Sequence, residues 1–439
     1  MAVASESQNK ELTNRIFFVL GALIVYRIGT YIPLPGIDSV TLKDIFSKQS
    51  GGVLGMFDMF SGGALSRMSI LALNIMPYIS ASIIMQLSTS IFPSMEEVKK
   101  EGASGQRKII QWTRYLTVLL AIFQGYGISV GLENITTSAG VSAVIDPGMA
   151  FRLSSVITLV GGTLFLMWLG EQITQRGIGN GVSLIIYAGI VANLPSAVAS
   201  LFELGRTGAL STAFILTLTV MAVGVVFLIV FMERAIRKIT IQYPKRQVGM
   251  KITGGQSTHM PLKVNTSGVI PPIFAGSLLL LPLTFTSFVG ENSPEWLQIV
   301  ATQLGRGQAG FMVAYGTLIV FFCFFYTSVV FNSTETAESL RKNGAVVPGY
   351  RPGEMTAKHF DYLLGRLTVV GAGYLLFVCL LPELLVAKYS VPFYFGGTSL
   401  LIVVTVTIDT VMQIQSHMYA KQYEALMSKN NKKDRRFSR

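Results

Sequence analysis

The chain has 439 residues, of which 51% are hydrophobic and only 13% charged, with a mean hydropathy of +0.53. Soluble domains carry about 25% charged residues, so this composition excludes a soluble globular protein and describes a polytopic membrane protein. The formal net charge is +12. Three histidines and two cysteines leave little material for a metal site or a disulfide framework.

Ten apolar runs mark spans: Ile16–Ile32, Ile75–Phe92, Tyr115–Gly131, Leu153–Leu169, Val182–Leu201, Ala213–Phe231, Val269–Phe288, Phe311–Phe331, Leu367–Leu385 and Tyr394–Ile414. The first follows Lys10 and Arg15, is broken by Arg27 and has no small-residue cleavage site, so it reads as a retained span. An even number of spans puts both termini on one side. With the N-terminus cytoplasmic, that side holds 27 basic residues and the other seven, with Arg27 inside a span. The excess of Lys and Arg on the inner side then places both ends in the cytoplasm. Cys323 and Cys379 each fall within a span and read as small buried hydrophobes.

Between the first two spans, Gly55 to Ile70 predicts a helix of about 24 Å at 1.5 Å per residue. That is short of a hydrocarbon core of about 30 Å, and the stretch carries Asp58 and Arg67. Such a segment can lie at membrane depth only inside protein or a water-filled cavity. It leads through Asn74-Ile75-Met76-Pro77 into a span on which Ile75, Ile79, Ser82 and Gln86 share one helical face. Lipid would penalise that face, whereas a pore lining would use it.

Two cytoplasmic connections are long. Met232 to Gly268 holds the basic cluster TIQYPKRQVGMK (Thr240–Lys251), and Asn332 to Arg366 holds GAVVPGYRPGEMTAKH (Gly344–His359). Their Pro, Gly and Tyr predict hairpin-like projections. With the basic tail they form a surface that ribosomal RNA, acidic lipid or an acidic protein face would each satisfy, and charge does not choose among them. Five spans, a connection near Glu203–Leu210 and five more suggest an inverted repeat, the second copy turned over about an axis in the membrane plane. Pro77 and Ile270-Pro271-Pro272-Ile273 fall at matching spans of the two halves. Interrupted spans at matching positions point to the centre of such folds, although a plain helix kink explains either one alone. RGIGNG (Arg176–Gly181) lacks the flanking strand and Lys-Ser/Thr of a phosphate loop and reads as a tight turn opening the fifth span.

Several of these stretches resemble the SecY family, the pore subunits of the Sec protein-conducting channel. They are SGGALSRMSILALNIMPYISASIIMQL (Ser61–Leu87), LGEQITQRGIGNGVS from Leu169, VNTSGVIPPIFAGS (Val264–Ser277), FFCFFYTSVVFN (Phe321–Asn332), the RPGE of the last long loop and VPFYFGGTSLLIV (Val391–Val403). The likeness runs over essentially the whole chain. It departs at Asn74, where the family usually has glycine.

The resemblance implies an all-α membrane protein of ten spans in two inverted five-helix halves around a central pore, with a short re-entrant plug helix. The N-terminal half is residues 1–201, an external hinge 202–211, the C-terminal half 212–416 and a basic cytoplasmic tail 417–439. Ile75, Ile79, Ile186, Ile273 and Ile402 match the family's pore ring. Branched aliphatic side chains suit it, because they make a constriction that dewets and still yields to any passing chain. Residues 55–70 match the plug, with Gly55, Met56, Phe57, Phe60, Gly62, Gly63, Leu65, Ser66 and Arg67. The lateral gate matches Ser80, Ser82 and Gln86 against Asn265, Leu281, Thr284 and Thr286, weak polar contacts that suit a seam built to open. Lys245, Arg246, Lys251, Arg341, Arg351 and Tyr423 fall where the family docks the SecA motor or the ribosome. Implied partners are also SecE, SecG, signal peptides, unfolded secretory or membrane-protein clients and membrane lipid, in the plasma (inner) membrane of a bacterium. Neither cofactor nor metal nor catalytic residue is implied.

Two rivals stand against this reading. A secondary transporter of a small solute shares inverted repeats but needs charges or a polar pocket at membrane depth. Arg27 and Asp409 lie within spans, roughly 16 Å and 8 Å from the cytoplasmic edge at 1.5 Å per residue, which disfavours their pairing. An intramembrane enzyme would need a motif such as HExxH or GxSxG, and His259, His359 and His417 lie far apart in sequence.

Overall fold

The computed structural model describes residues 2–38, 42, 58, 61–134, 143–208, 211–243, 246–248, 251–253, 257–289, 303, 308–389 and 397–437. Within these, side chains are described except at 2–10, 134, 204, 212, 246–248, 251–253, 280–289, 386–389 and 420–437.

A helix stands at each of the ten apolar runs. In the first half they are α1 (Ala2–Gly29), α2 (Met76–Ile91), α4 (Ala103–Asn134), α5 (Met149–Arg176) and α6 (Gly181–Arg206), with a short α3 (Pro93–Lys100) between α2 and α4. The second half has α7 (Thr212–Arg234), α8 (Ile270–Val289), α9 (Ala309–Val330), a short α10 (Ser333–Lys342), α11 (Glu354–Tyr389) and α12 (Gly397–Phe437). Among the described residues eight helices are long and apolar enough to cross a membrane. The 16 residues of α2 rise only about 24 Å. Outward faces are apolar. On α7 Leu216, Val220, Val223, Phe227 and Phe231 recur every three or four residues and all stand exposed, Phe227 at 73%. A stripe of this kind is stable against lipid and not against water.

The two halves meet along two seams. Helix α8 packs on α2 and α4, and α12 packs on α6. Glycines let backbones approach closely within the halves; a Cβ on Gly181 would lie 1.9 Å from the Gly170 carbonyl oxygen and one on Gly162 2.0 Å from that of Ile70. Gly179 turns with φ +92°, and Asn180 caps α6 by accepting from the Val182 and Ser183 amides. RGIGNG is therefore the tight turn its sequence predicts.

Two expectations need correction. First, residues 61–75 are a chain of turns, not a helix. Gly62 and Gly63 have φ +69° and +80°, and Met68 and Asn74 φ +43° and +50°, values a right-handed helix excludes. Asn74 can hold this conformation because asparagine is, after glycine, among the residues that best accept the left-handed region. Secondly, the prolines start helices rather than interrupt them. Pro77 lies in the first turn of α2, as Pro271 and Pro272 do in α8, where a missing N–H costs nothing. The membrane body is all-helical, and the hairpin-like projection expected of the first long loop stands out from it. Strand β1 (Ile236–Gln242) pairs antiparallel with β4 (Ser257–Lys263), and β2 (Arg246–Val248) with β3 (Lys251–Thr253). The first long loop is thus a β-ribbon, and Gln242 exchanges two 2.9 Å backbone bonds with Val346 of the second. Ile239, Leu262, Val347, Phe360 and Leu364 make a small core between them. The connection between the halves is also tighter than expected, since α6 runs to Arg206 and Ser211 already caps α7. Cys323 and Cys379 are both free and buried.

Candidate functional site

The five isoleucines come together. Ile75 and Ile79 at the start of α2, Ile186 of α6 and Ile402 of α12 are buried in one hydrophobic cluster, and half-buried Ile273 of α8 packs against it. Two helices of each half therefore supply it. The cluster also fills much of the space between helices, with Leu166, Ile173, Phe274 and Phe322 among its members and the last two rings edge-to-face at 5.7 Å. It is held by dispersion and burial, and β-branched side chains keep it stiff.

Next to it, leading into α2, lies the turn segment, which is built differently. Asp58 organises its start: its carbonyl accepts from the Gly63 amide (2.8 Å) and Ser61 hydroxyl (3.0 Å), and its carboxylate from the Ser66 amide (2.7 Å). The Gly62 carbonyl accepts from two guanidinium groups, Arg27 Nη1 at 2.7 Å and Arg67 Nη2 at 2.9 Å. Both guanidiniums also lie over the Tyr31 ring, at 5.1 and 4.3 Å, and the Tyr26 hydroxyl donates to the Ser61 carbonyl. A Cβ on Gly62 would meet the Gly189 backbone and Arg27 at 3.0 Å, so glycine is required by space as well as by φ. Below this, Leu65 and Met68 join Leu34, Phe151 and Leu159 in a second apolar core. Of the predicted plug residues, Gly62, Gly63, Leu65, Ser66 and Arg67 belong to this segment; Gly55, Met56, Phe57 and Phe60 lie outside the described residues. Arg27 and its two tyrosines were missed as a site by sequence reasoning. The signal was an arginine inside an apolar span, but its partner is 35 residues away and is a backbone carbonyl.

The predicted gate is assembled in part. Ser80 is buried, Ser82 and Gln86 are half-buried, and the Gln86 amide nitrogen donates to the Ser82 hydroxyl within α2 at 3.4 Å. Asn265 does not reach across to α2. Its amide donates to Glu233 at the end of α7 (2.6 Å) and to the Gly268 carbonyl (3.2 Å), while its oxygen accepts from Ser267 and Gly268. It fixes the turn that leads from β4 into α8. Leu281, Thr284 and Thr286 are on α8, with side chains outside the described set.

Arg246 opens β2 and Lys251 opens β3, so both sit in the outer part of the ribbon. Arg341 and Arg351 are exposed on the second loop, which turns at Gly344, Gly349 and Gly353 with φ of +70°, +89° and +102°. The Arg351 carbonyl accepts from Thr356, leaving its guanidinium outward, and Tyr350 stacks on His359 at 3.9 Å. Tyr423 belongs to α12, its side chain outside the described set, and Lys245 lies outside the described residues. Asp409 meets Lys263 of β4 at 3.8 Å and not Arg27.

Comparison with known proteins places this arrangement. A family model described as SecY matches residues 69–411. A protein translocase subunit SecY from Rickettsia typhi is 55% identical over 425 residues, covering 97% of this chain and 98% of that one. Among solved structures, a SecY protein whose plug domain is described as stabilising the closed state of the translocation channel aligns with a TM-score of 0.63 at 16% identity, covering 92% of each chain. Sec61 in a canine ribosome-channel complex from the endoplasmic reticulum aligns at 0.59 and 15% identity, again over 92% of each. At such identities the structures speak for the fold.

Proposed function

The chain belongs to the SecY family, and from that membership we propose that it is the pore-forming subunit of a protein-conducting channel. It passes unfolded secretory polypeptides across the membrane and releases apolar segments sideways into lipid. The observation that carries this reading is the buried isoleucine cluster, supplied by α2, α6, α8 and α12, with a segment tied down by hydrogen bonds beside it. Such a constriction excludes ions while empty and yields to a chain of any sequence, because it offers neither charge nor hydrogen-bonding tips.

In finer detail, the ten helices at the apolar runs are ten spans in two inverted halves, 1–201 and 212–416, hinged at 202–211. Residues 55–70 are the plug and move aside during transport, and the seam between α2 and α8 is the lateral gate. Weak intramembrane polar contacts, averaging about 0.6 kcal/mol, let that seam part. The ribbon, the second loop and the tail 417–439 dock the translating ribosome or the SecA motor, with Arg351 as the principal contact, since a guanidinium grips phosphate or carboxylate bidentately. SecE and SecG complete the channel in a bacterial inner membrane, with both termini cytoplasmic. The subunit itself is passive, and its driving force comes from these partners.

The test is site-specific crosslinking in inverted membrane vesicles. A photoreactive residue replaces Ile79 while a secretory precursor is stalled in transit. Adducts that require the stalled precursor place a polypeptide at the cluster; transport without adducts at Ile79 or Ile273 contradicts the pore assignment. For docking, Arg351→Glu is expected to abolish motor- or ribosome-driven transport with folding intact, and wild-type rates in that variant would remove the docking role.

A further inference from the structure

A crevice of about 510 Å³ opens between the start of α6, the approach to α8 and α12. Three of its lining residues lie one helical turn on the cytoplasmic side of three of the isoleucines: Ser183 before Ile186, Val269 before Ile273 and Val406 after Ile402. The crevice is therefore the vestibule directly beneath the cluster. One turn further along α12 stands Asp409.

Most polar groups of this wall already have structural work. Asn180 caps α6, Gln413 Oε1 accepts from the Gly179 amide at 2.8 Å, and the Thr410 hydroxyl donates to the Val406 carbonyl at 2.7 Å. The Asp409 carboxylate differs. Its described partner, Lys263 Nζ, is 3.8 Å away, beyond a tight hydrogen bond, and the two side chains are 51% and 49% exposed. The other nearby acid, Glu233, is buried and held by Asn265. The surrounding cytoplasmic face is strongly basic in sequence. A cationic side chain entering the vestibule thus meets one accessible carboxylate whose present cation is loosely held.

We propose that this crevice is a receiving subsite for the entering polypeptide, in which Asp409 exchanges Lys263 for a lysine or arginine of the client. The inference rests on the channel reading above and adds a specificity-determining residue to it. Asp409 lies seven residues from Ile402, about 10 Å along the helix. An extended chain covers that in about three residues, so the subsite favours clients with a basic residue about three positions on the cytoplasmic side of the segment at the cluster. Release of Lys263, which ends β4, also frees the base of the ribbon.

The full channel complex with its motor in proteoliposomes is given two precursors that differ only in a lysine or a glutamine at that flank. The reading is the ratio of their initial transport rates. In Asp409→Asn the ratio of lysine to glutamine client is expected to fall about threefold, the size of an exposed ion pair, while Asp409→Glu keeps it and Lys263→Gln raises it. A ratio unchanged in Asp409→Asn overturns the subsite, including when both rates fall together, which marks a purely structural residue. A second measurement uses Asp409→Cys with a cysteine walked along the flank of a stalled precursor. Disulfide formation should peak at the third flank position, and a flat profile contradicts the proposal. If the wild-type complex passes neither precursor, the channel reading itself fails.

Discussion

On the proposed channel reading, the isoleucine cluster and the turn segment beside it close the same path by opposite physics. The five isoleucines come from four helices, are held by non-directional packing within a larger apolar cluster, and their side chains have no hydrogen bonds to break. The segment 61–75 also buries apolar side chains, Leu65, Met68 and Leu71 among them, but is fixed in addition by aimed donors, with two guanidiniums on one carbonyl and four residues in left-handed backbone. A packed constriction widens by degrees, as methyl groups slide past one another. A bonded segment with a required backbone geometry is in place or out of place. A channel that must stretch around varied chains yet reseal completely has use for both.

Substitutions can sharpen or break this contrast. The largest effect belongs to Ile79→Gly combined with Ile186→Gly, where large-to-small changes in a buried cluster cost about 2–5 kcal/mol each. Graded ion leak in planar bilayers is the expected outcome. Next is Gly62→Val, which forces a β-branched residue into φ +69° and against the Gly189 backbone at 3.0 Å. A left-handed residue costs about 1–2 kcal/mol and overpacking about 1–3 more. Amide exchange at Ser61–Leu65 should accelerate at least tenfold together, as a unit. Arg27→Ala removes a charged bond worth about 1.5–3 kcal/mol and should free the same amides without altering exchange around Ile186; Arg27→Lys should restore part of the protection. If Arg27→Ala loosens the cluster as much as the isoleucine pair does, the two regions are not separate devices. The smallest effect is that of Asn74→Ala, about 1 kcal/mol for a side chain that cannot settle at φ +50°. It should read as a melting point lowered by a few degrees.

The sequence made the helices plain, because lipid demands about 20 apolar residues per crossing and each of the ten runs is helical here. The projecting ribbon was legible as a hairpin from its Pro, Gly and Tyr, although its strands alternate too briefly to be read residue by residue. Apart from the shared face of Ile75 and Ile79, the isoleucines were singled out through the family resemblance, since a buried isoleucine is otherwise ordinary. What local pattern could not disclose were contacts set by tertiary approach. A helix was expected over the turn segment because its apolar content permits one. The outcome was decided by Arg27 reaching Gly62 and by backbone angles only glycine and asparagine accept readily. Asn265 was placed across the α2 seam and instead bonds Glu233, and Asp409 was assigned no partner because Lys263 comes from a ribbon whose fold is non-local.

The most direct measurement is the closed-channel conductance of four reconstituted versions side by side: the wild type, Arg27→Ala, Ile79→Gly with Ile186→Gly, and all three changes together. Two seals in series predict a silent wild type, a modest leak when either seal is weakened, and a leak in the combined variant larger than the sum of the others. A channel that stays as silent as the wild type with both isoleucines replaced and Arg27 removed would show that neither region seals the path.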